Sequence, residues 1–308
     1  MTVKEAVRRA RQKQTVIPAF NIPYLPMAKP VMQAVRDENA AALIEVARLE
    51  WVKFESGSPE AVAEEYFRWK GGRGNMFLHL DHVPVIDEDG NRIDFLPIIE
   101  RALAAGYESV MVDGSRLPLD ENIRCTRLVA DLAHSRGAAA EAELGAVAGH
   151  EAGGIGMSYE ELFASRKGFT DPGEAARFAA ESGCDWLSVA AGSFHGSISA
   201  DAGVRLQKKP EARLDIEHIA RLSGATGGMP LVLHGGSGIR REYIVEAVRQ
   251  GITKINVGTD IRQPYEAAVR DGGGAEAARE RVYIKTRWVI RDFLGISGNY
   301  DLIAEGDE

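Results

Sequence analysis

Cysteine is scarce. The 308-residue chain has two, Cys125 and Cys184, far apart and without metal-ligand spacing. That argues against a disulfide framework and a cysteine metal cluster, and it points to a reducing compartment. Long apolar runs are missing too: none reaches the roughly 18 residues of a membrane helix. The N-terminal stretch "MTVKEAVRRARQKQ" reads as an amphipathic helix without the apolar core of a signal sequence. A cytoplasmic protein with no membrane partner is expected. Basic blocks are absent and the formal charge is −8, so nucleic acid is a poor partner. There is no low-complexity linker and no repeat at a solenoid period.

What is present is ample apolar material, 45% of the residues, enough for a large core. Length alone suggests about two domains, but α/β barrels of this size are often one. Eight β-type runs recur: "TVIPAFNI" (15–22), "AALIEVAR" (41–48), "MFLHLDHV" (76–83), "SVMVDG" (109–114), "AAAEAELG" (138–145), "WLSVAAG" (186–192), "LVLHGG" (231–236) and "KINVGT" (254–259). Between them lie segments with helical spacing, such as "FLPIIERALAAG", "PGEAARFAAESG" and "REYIVEAVRQG", several ending in glycine. Alternation of this kind implies a parallel sheet, and eight units imply a closed (β/α)8 TIM barrel; the alternative is a doubly wound open sheet. A single domain over residues 1–308 is expected. A loop at 272–274 would precede a C-terminal helical extension over about 276–308, a helix near 276–294 and then a polar tail.

Strand parity adds information. Val16, Phe20, Ile44, Val46, Leu78, Leu80, Val110, Val112, Leu187, Val189, Ile255 and Val257 can face helices. The opposite parity holds Asn21, Glu45, His79, Asp81, Asp113, Glu141, Glu143, Ser188, His234 and Asn256. So polar an inward row is costly unless hydrogen-bonded or binding something. Many of its members sit near strand C-terminal ends, where a barrel carries its site.

Three histidines follow strands three, six and seven: His82, His195 and His234. Three imidazoles and an open position make a catalytic zinc set. Each histidine alone would read as a hydrogen-bonded loop residue. His79 reads as packed behind the site. His134, His150 and His218 read as surface residues. The loops after strands seven and eight carry Gly235, Gly236, Ser237 and Gly238, then Asn256, Gly258 and Thr259, each before a helix. Backbone N–H groups there can cradle a phosphate. Ordinary turn chemistry is the other reading.

"LHLDH", "SVMVDGS…ENI", "AELG", "DPGEA…AAESGCDWLSVAAGSFHG", "LVLHGGSG" and "KINVGTD" occur in this order over residues 15–265. Together they resemble the class II, zinc-dependent ketose-bisphosphate aldolases, which include fructose- and tagatose-bisphosphate aldolases. The resemblance implies His82, His195 and His234 as Zn2+ ligands, and Asp81 as the acid/base at the substrate hydroxyl. It implies that Gly196, Gly235, Gly236, Ser237, Asn256, Val257, Gly258 and Thr259 hold dihydroxyacetone phosphate. Asp113 and Glu143 match positions of a second metal ion in some members, and a monovalent cation is the other option there. Glu151, in "GHEAGG", is the nearest match to a loop glutamate that moves the carbon-bound proton. A homodimer or homotetramer acting on a phosphorylated sugar is implied. A Schiff-base aldolase would instead need a lysine near a strand end. Lys254 reads as opening strand eight, at the far end of the barrel, with a structural role.

Several positions depart from the family pattern. "IEVARLEWVKFESGS" replaces the usual small or hydroxyl residues after strand two, bringing Glu45, Arg48 and Glu50. Val83 stands where glycine is usual, and Arg116 where His or Lys is common. The segment after His195 looks longer. Arg48 can recognise a second anionic group on the substrate, or form a scaffold pair with Glu45. A related lyase acting on an acidic substrate is the second functional reading. A binding or assembly barrel that has lost activity is the third.

Overall fold

A computed structural model describes residues 1–145, 159–193, 213–236 and 238–305. Eight parallel strands close into one barrel in sequence order. They are β1 Ile17–Asn21, β2 Ala42–Ala47, β3 Met76–Pro84, β4 Ser109–Asp113, β5 Ala139–Leu144, β6 Trp186–Val189, β7 Leu231–Leu233 and β8 Ile252–Val257. The barrel, with helices between its strands, is the (β/α)8 arrangement, and an open doubly wound sheet is excluded.

Parity sorts the side chains as alternation requires. Phe20, Ile44, Leu78, Leu80, Val110, Leu187, Val189, Ile255 and Val257 lie in one outer core with the helices. The inward row is split by height. Its lower residues, Ile17, Ala19, Leu43, Phe77, Ala139, Trp186 and Val232, form a second core with Val3, Ala6, Val7 and Ala10 of the N-terminal helix Val3–Gln12. That helix is amphipathic and closes the barrel floor with its apolar face. Thr2 caps it in a reciprocal capping box with Glu5. The floor is therefore dry, and the polar inward residues are confined to the upper half.

The expected helix near 276–294 is present, and a short helix stands where a polar tail was expected. Helix Gly274–Trp288 passes into a π-helical turn over Val289–Leu294, and a further helix covers Asn299–Ala304. Asn299 docks it: Oδ1 accepts from the Ala41 N–H at 2.9 Å and Nδ2 donates to the Val16 carbonyl at 3.0 Å. Ile303 then packs into the floor core. This short helix is held by its apolar Ile303 and by two strand ends that need partners for their backbone groups.

Two helix stops follow the sequence closely. Helix Pro172–Ser182 ends at Gly183 with φ 77°, the left-handed cap that glycine adopts without strain. Helix Arg241–Gln250 ends at Gly251 with φ 129°. It begins at Arg241, the first residue of the run "REYIVEAVRQG", with Ile239 and Arg240 between it and Gly238.

Candidate active site

The upper end of β3 is irregular. Leu80 pairs with Val110 and Val83 with Val112, so Asp81 and His82 together stand opposite Met111. This is a β-bulge, and His82 takes the left-handed φ of 30° within it. Strict alternation would send neighbouring residues to opposite faces. The bulge instead brings both Asp81 and His82 to the mouth. His82 thus lies inside β3 rather than after it.

Asp81 is clamped. Asn21 Nδ2 donates to its Oδ2 at 3.0 Å, and Asn256 Nδ2 donates to its Oδ1 at 3.0 Å. Burial alone would raise its pKa, but His82 and Lys254 outweigh burial and hold it below the usual carboxylate range. Asp81 is therefore a charged acceptor at neutral pH.

His234, one residue past β7, is fully buried between two carboxylates of β5. Its Nε2 lies 2.9 Å from Glu141 Oε1 and its Nδ1 2.8 Å from Glu143 Oε2. Ser188 Oγ donates to the same Glu143 oxygen at 3.3 Å. The His82 and His234 rings are 4.4 Å apart between centroids. His82 Nδ1 is 3.4 Å from Asp113 Oδ2, and its Nε2 is 4.0 Å from Glu143. Burial opposes charging either imidazole, yet Asp81 and Asp113 around His82, and Glu141 and Glu143 around His234, drive both upward.

Two overlapping donor sets result. Asp81, His82 and His234 offer ligand atoms within 4.8 Å of one another, and so do His82, Asp113 and Glu143. The donor chemistry, imidazole with carboxylate, fits a divalent metal ion. The charge balance fits as well, since the carboxylates hold protons on imidazoles that a cation would displace. A third set, Glu45, His79 and Asp81, meets the same distance. There, however, an ammonium already stands: Lys254 Nζ is 3.4 Å from Glu45 Oε2.

Lys254 corrects the sequence reading. Strand β8 begins at Ile252, so the lysine sits in mid-strand and is fully buried inside the barrel. Its Nζ is 2.9 Å from Glu141 Oε2 and donates to Asn256 Oδ1 at 2.8 Å. Burial lowers its pKa, but Glu141 and then Glu45 more than reverse that. A permanently charged, fully engaged ammonium is no Schiff-base nucleophile. Burial also lifts Glu141, and Lys254 pulls it back well below the ordinary range, whereas Glu45 is pushed well above it by burial and by Asp81. Glu141 is therefore the counter-ion of Lys254, and removing one partner of such a buried pair costs about 3–5 kcal/mol. The scaffold pair of Glu45 with Arg48, one of the two readings of Arg48, does not form. Arg48 begins helix Arg48–Lys53 and lies 4.0 Å from Asp87, in the segment after β3. Arg116 donates to the Asp87 carbonyl at 2.6 Å.

Other expected positions divide. Asn256 turns its amide to Asp81 and Lys254. Val257 packs its side chain in the outer core, leaving only its backbone for a ligand. Gly235 has φ 68°. A Cβ on Gly236 would meet Ile255 Cγ2 at 2.8 Å, and one on Gly258 would meet Asn21 Oδ1 at 3.1 Å, so packing alone already requires glycine at Gly236. Thr259 starts helix Thr259–Arg270. His79 is buried, with Nδ1 2.8 Å from Ser109 Oγ. His218, expected at the surface, is buried and bonds the Thr170 carbonyl at 2.8 Å. Glu151, His195, Gly196 and Ser237 lie outside the described residues. Sequence reasoning gave no role to Asn21, although its inward parity was visible. Glu50, named only among the departures after strand two, accepts from the Ala47 N–H at 2.8 Å and is pushed up to about 8 by burial.

Known proteins resemble this chain along nearly its whole length. The family model described as fructose-bisphosphate aldolase class-II matches residues 1–291. A protein of Streptococcus pyogenes serotype M1 named fructose-bisphosphate aldolase is 31% identical over 287 residues, covering 92% of this chain and 87% of its own. One of the same name from Streptococcus pneumoniae serotype 4 is 30% identical over 289 residues, covering 93% and 88%. Among solved structures, the YdjI aldolase of Escherichia coli K12 matches with a TM-score of 0.72 at 25% identity, over 97% of this chain and 98% of that one.

Proposed function

The chain belongs to the class II fructose-bisphosphate aldolase family and is a carbon–carbon lyase, and from that premise we propose that it cleaves a phosphorylated ketose to dihydroxyacetone phosphate and an aldehyde, using zinc. The observation that carries the reading is the meeting of Asp81, His82 and His234 at one barrel mouth, within 4.8 Å.

His82 and His234 would hold the metal ion together with His195, and Asp113 and Glu143 would serve a second cation. Glu141 on Nε2 of His234 fixes that ring. A divalent ion held there supplies Lewis-acid polarisation of the ketone and stabilises the negative charge left on the adjacent carbon. Asp81 accepts the hydroxyl proton as the carbon–carbon bond breaks and the aldehyde forms. The electron pair stays on the carbon beside the ketone, and a second group, for which Glu151 is the candidate, returns a proton to it. Gly235, Gly236, Gly258 and Thr259 would offer backbone N–H groups to the phosphate.

A panel of ketose mono- and bisphosphates tests the reading, with released dihydroxyacetone phosphate measured by coupled reduction. Turnover of at least one ketose phosphate is expected, and release from none of them would refute it. Arg48 defines the second arm. Its 4.0 Å approach to Asp87 is loose for an ion pair, and helix Arg48–Lys53 starts beside Asp81, since Ala47 pairs with Asp81 in the sheet. Arg48→Met is expected to raise KM by one to two orders of magnitude, about 1.4 to 3 kcal/mol, while the melting temperature holds. A destabilised protein with unchanged kinetics per folded molecule would make Arg48 scaffold.

A further inference from the structure

The Asn256 amide stands between two unlike groups. On one side is the Lys254 ammonium, 2.8 Å from Oδ1; on the other is Asp81 Oδ1, 3.0 Å from Nδ2. An ammonium has donors and no acceptor, and a carboxylate has acceptors and no donor. The amide can therefore take one orientation only. Turned over, it would aim Nδ2 at Nζ and Oδ1 at the carboxylate, two repulsive contacts among buried groups. Lys254 is itself held by Glu141, which Trp186 Nε1 and His234 Nε2 also engage at 2.6 and 2.9 Å. A continuous line runs from the dry floor, where Trp186 packs, through Glu141, Lys254 and Asn256 to Asp81.

We propose that Lys254 is a positioning residue for the lyase reaction: by locking the Asn256 amide, it fixes the direction in which Asp81 presents its carboxylate to the substrate hydroxyl. Glu141 binds both Lys254 and His234, so the same carboxylate aligns the acid/base and an imidazole of the donor set. The inference rests on the reading of Asp81 as the proton carrier.

The test is a double-mutant cycle on kcat, measured per folded, zinc-loaded molecule, with Lys254→Met and Asn256→Ala. Lys254→Met is expected to lower kcat about 10–100-fold, the scale typical of residues that orient the ligands of a catalytic metal, with KM within about twofold. In the Asn256→Ala background the same change should cost little more, because the lock has nothing left to hold. A lysine serving stability alone would lower the melting temperature and leave kcat per folded molecule unchanged. Where Lys254→Met does not fold, Lys254→Gln takes its place: its amide still donates to Glu141, but it can also accept, so the flipped Asn256 is no longer forbidden. Unchanged kcat in the single variant, or costs that multiply in the double, would overturn the proposal. Failure of the underlying reading looks different: Asp81→Asn would then turn over normally, whatever Lys254→Met does.

Discussion

Asp81→Asn is expected to keep the fold and the bound metal and to lose turnover by about 10²-fold or more, the scale of a missing acid/base. The change is nearly isosteric. It also replaces an acceptor-only group by one with two donors. Asn21 and Asn256 both point N–H groups at the present carboxylate, so the new amide must face a donor with a donor at one of them. Lys254 forbids Asn256 to turn, which leaves Asn21 to give way. The cost in stability is therefore local, and the cost in chemistry is the whole proton-transfer step. The check is kcat beside zinc content on one sample. Near-normal kcat on the true substrate would remove Asp81 from the chemistry.

His234→Ala is expected to abolish metal binding and turnover together. The ring is fully buried and fills the space between Glu141 and Glu143. Without it two carboxylates face each other across a cavity. Loss of a ligand should weaken metal binding by more than the 10–100-fold typical of residues behind the ligands. Metal analysis after dialysis, with circular dichroism to confirm folding, measures this. A folded variant that keeps a full complement of zinc and full turnover would take His234 out of the ligand set.

Much of this site is legible as parity. Asn21, Glu45, His79, Asp81, Asp113, Glu141, Glu143, Ser188, His234 and Asn256 read as one inward row, and all lie inside the barrel or at its mouth. The exceptions have physical causes. A period-two reading places Asp81 and His82 on opposite faces, and only the bulge opposite Met111 brings them together. The run "KINVGT" puts Lys254 first in strand eight, whereas β8 starts two residues earlier, at Ile252. The lysine's partner Glu141 is 113 residues away on β5, and barrel closure alone makes that pairing visible. Arg48 read as a possible partner of Glu45 because the two are close in sequence, yet Arg48 starts a helix that carries it to Asp87. The docking of Asn299 depends on backbone groups of Val16 and Ala41, which no side-chain pattern announces.

The central claim is that a metal ion held beside Asp81 makes this barrel a lyase. It is tested most directly by stripping the purified protein with a chelator and returning zinc in steps, with bound metal and cleavage rate followed on the same sample. The account predicts loss of turnover on stripping and recovery in proportion to bound zinc, up to about one ion per chain, as the proposed set of His82, His195 and His234 would require. Full turnover in protein shown to be free of metal would contradict it.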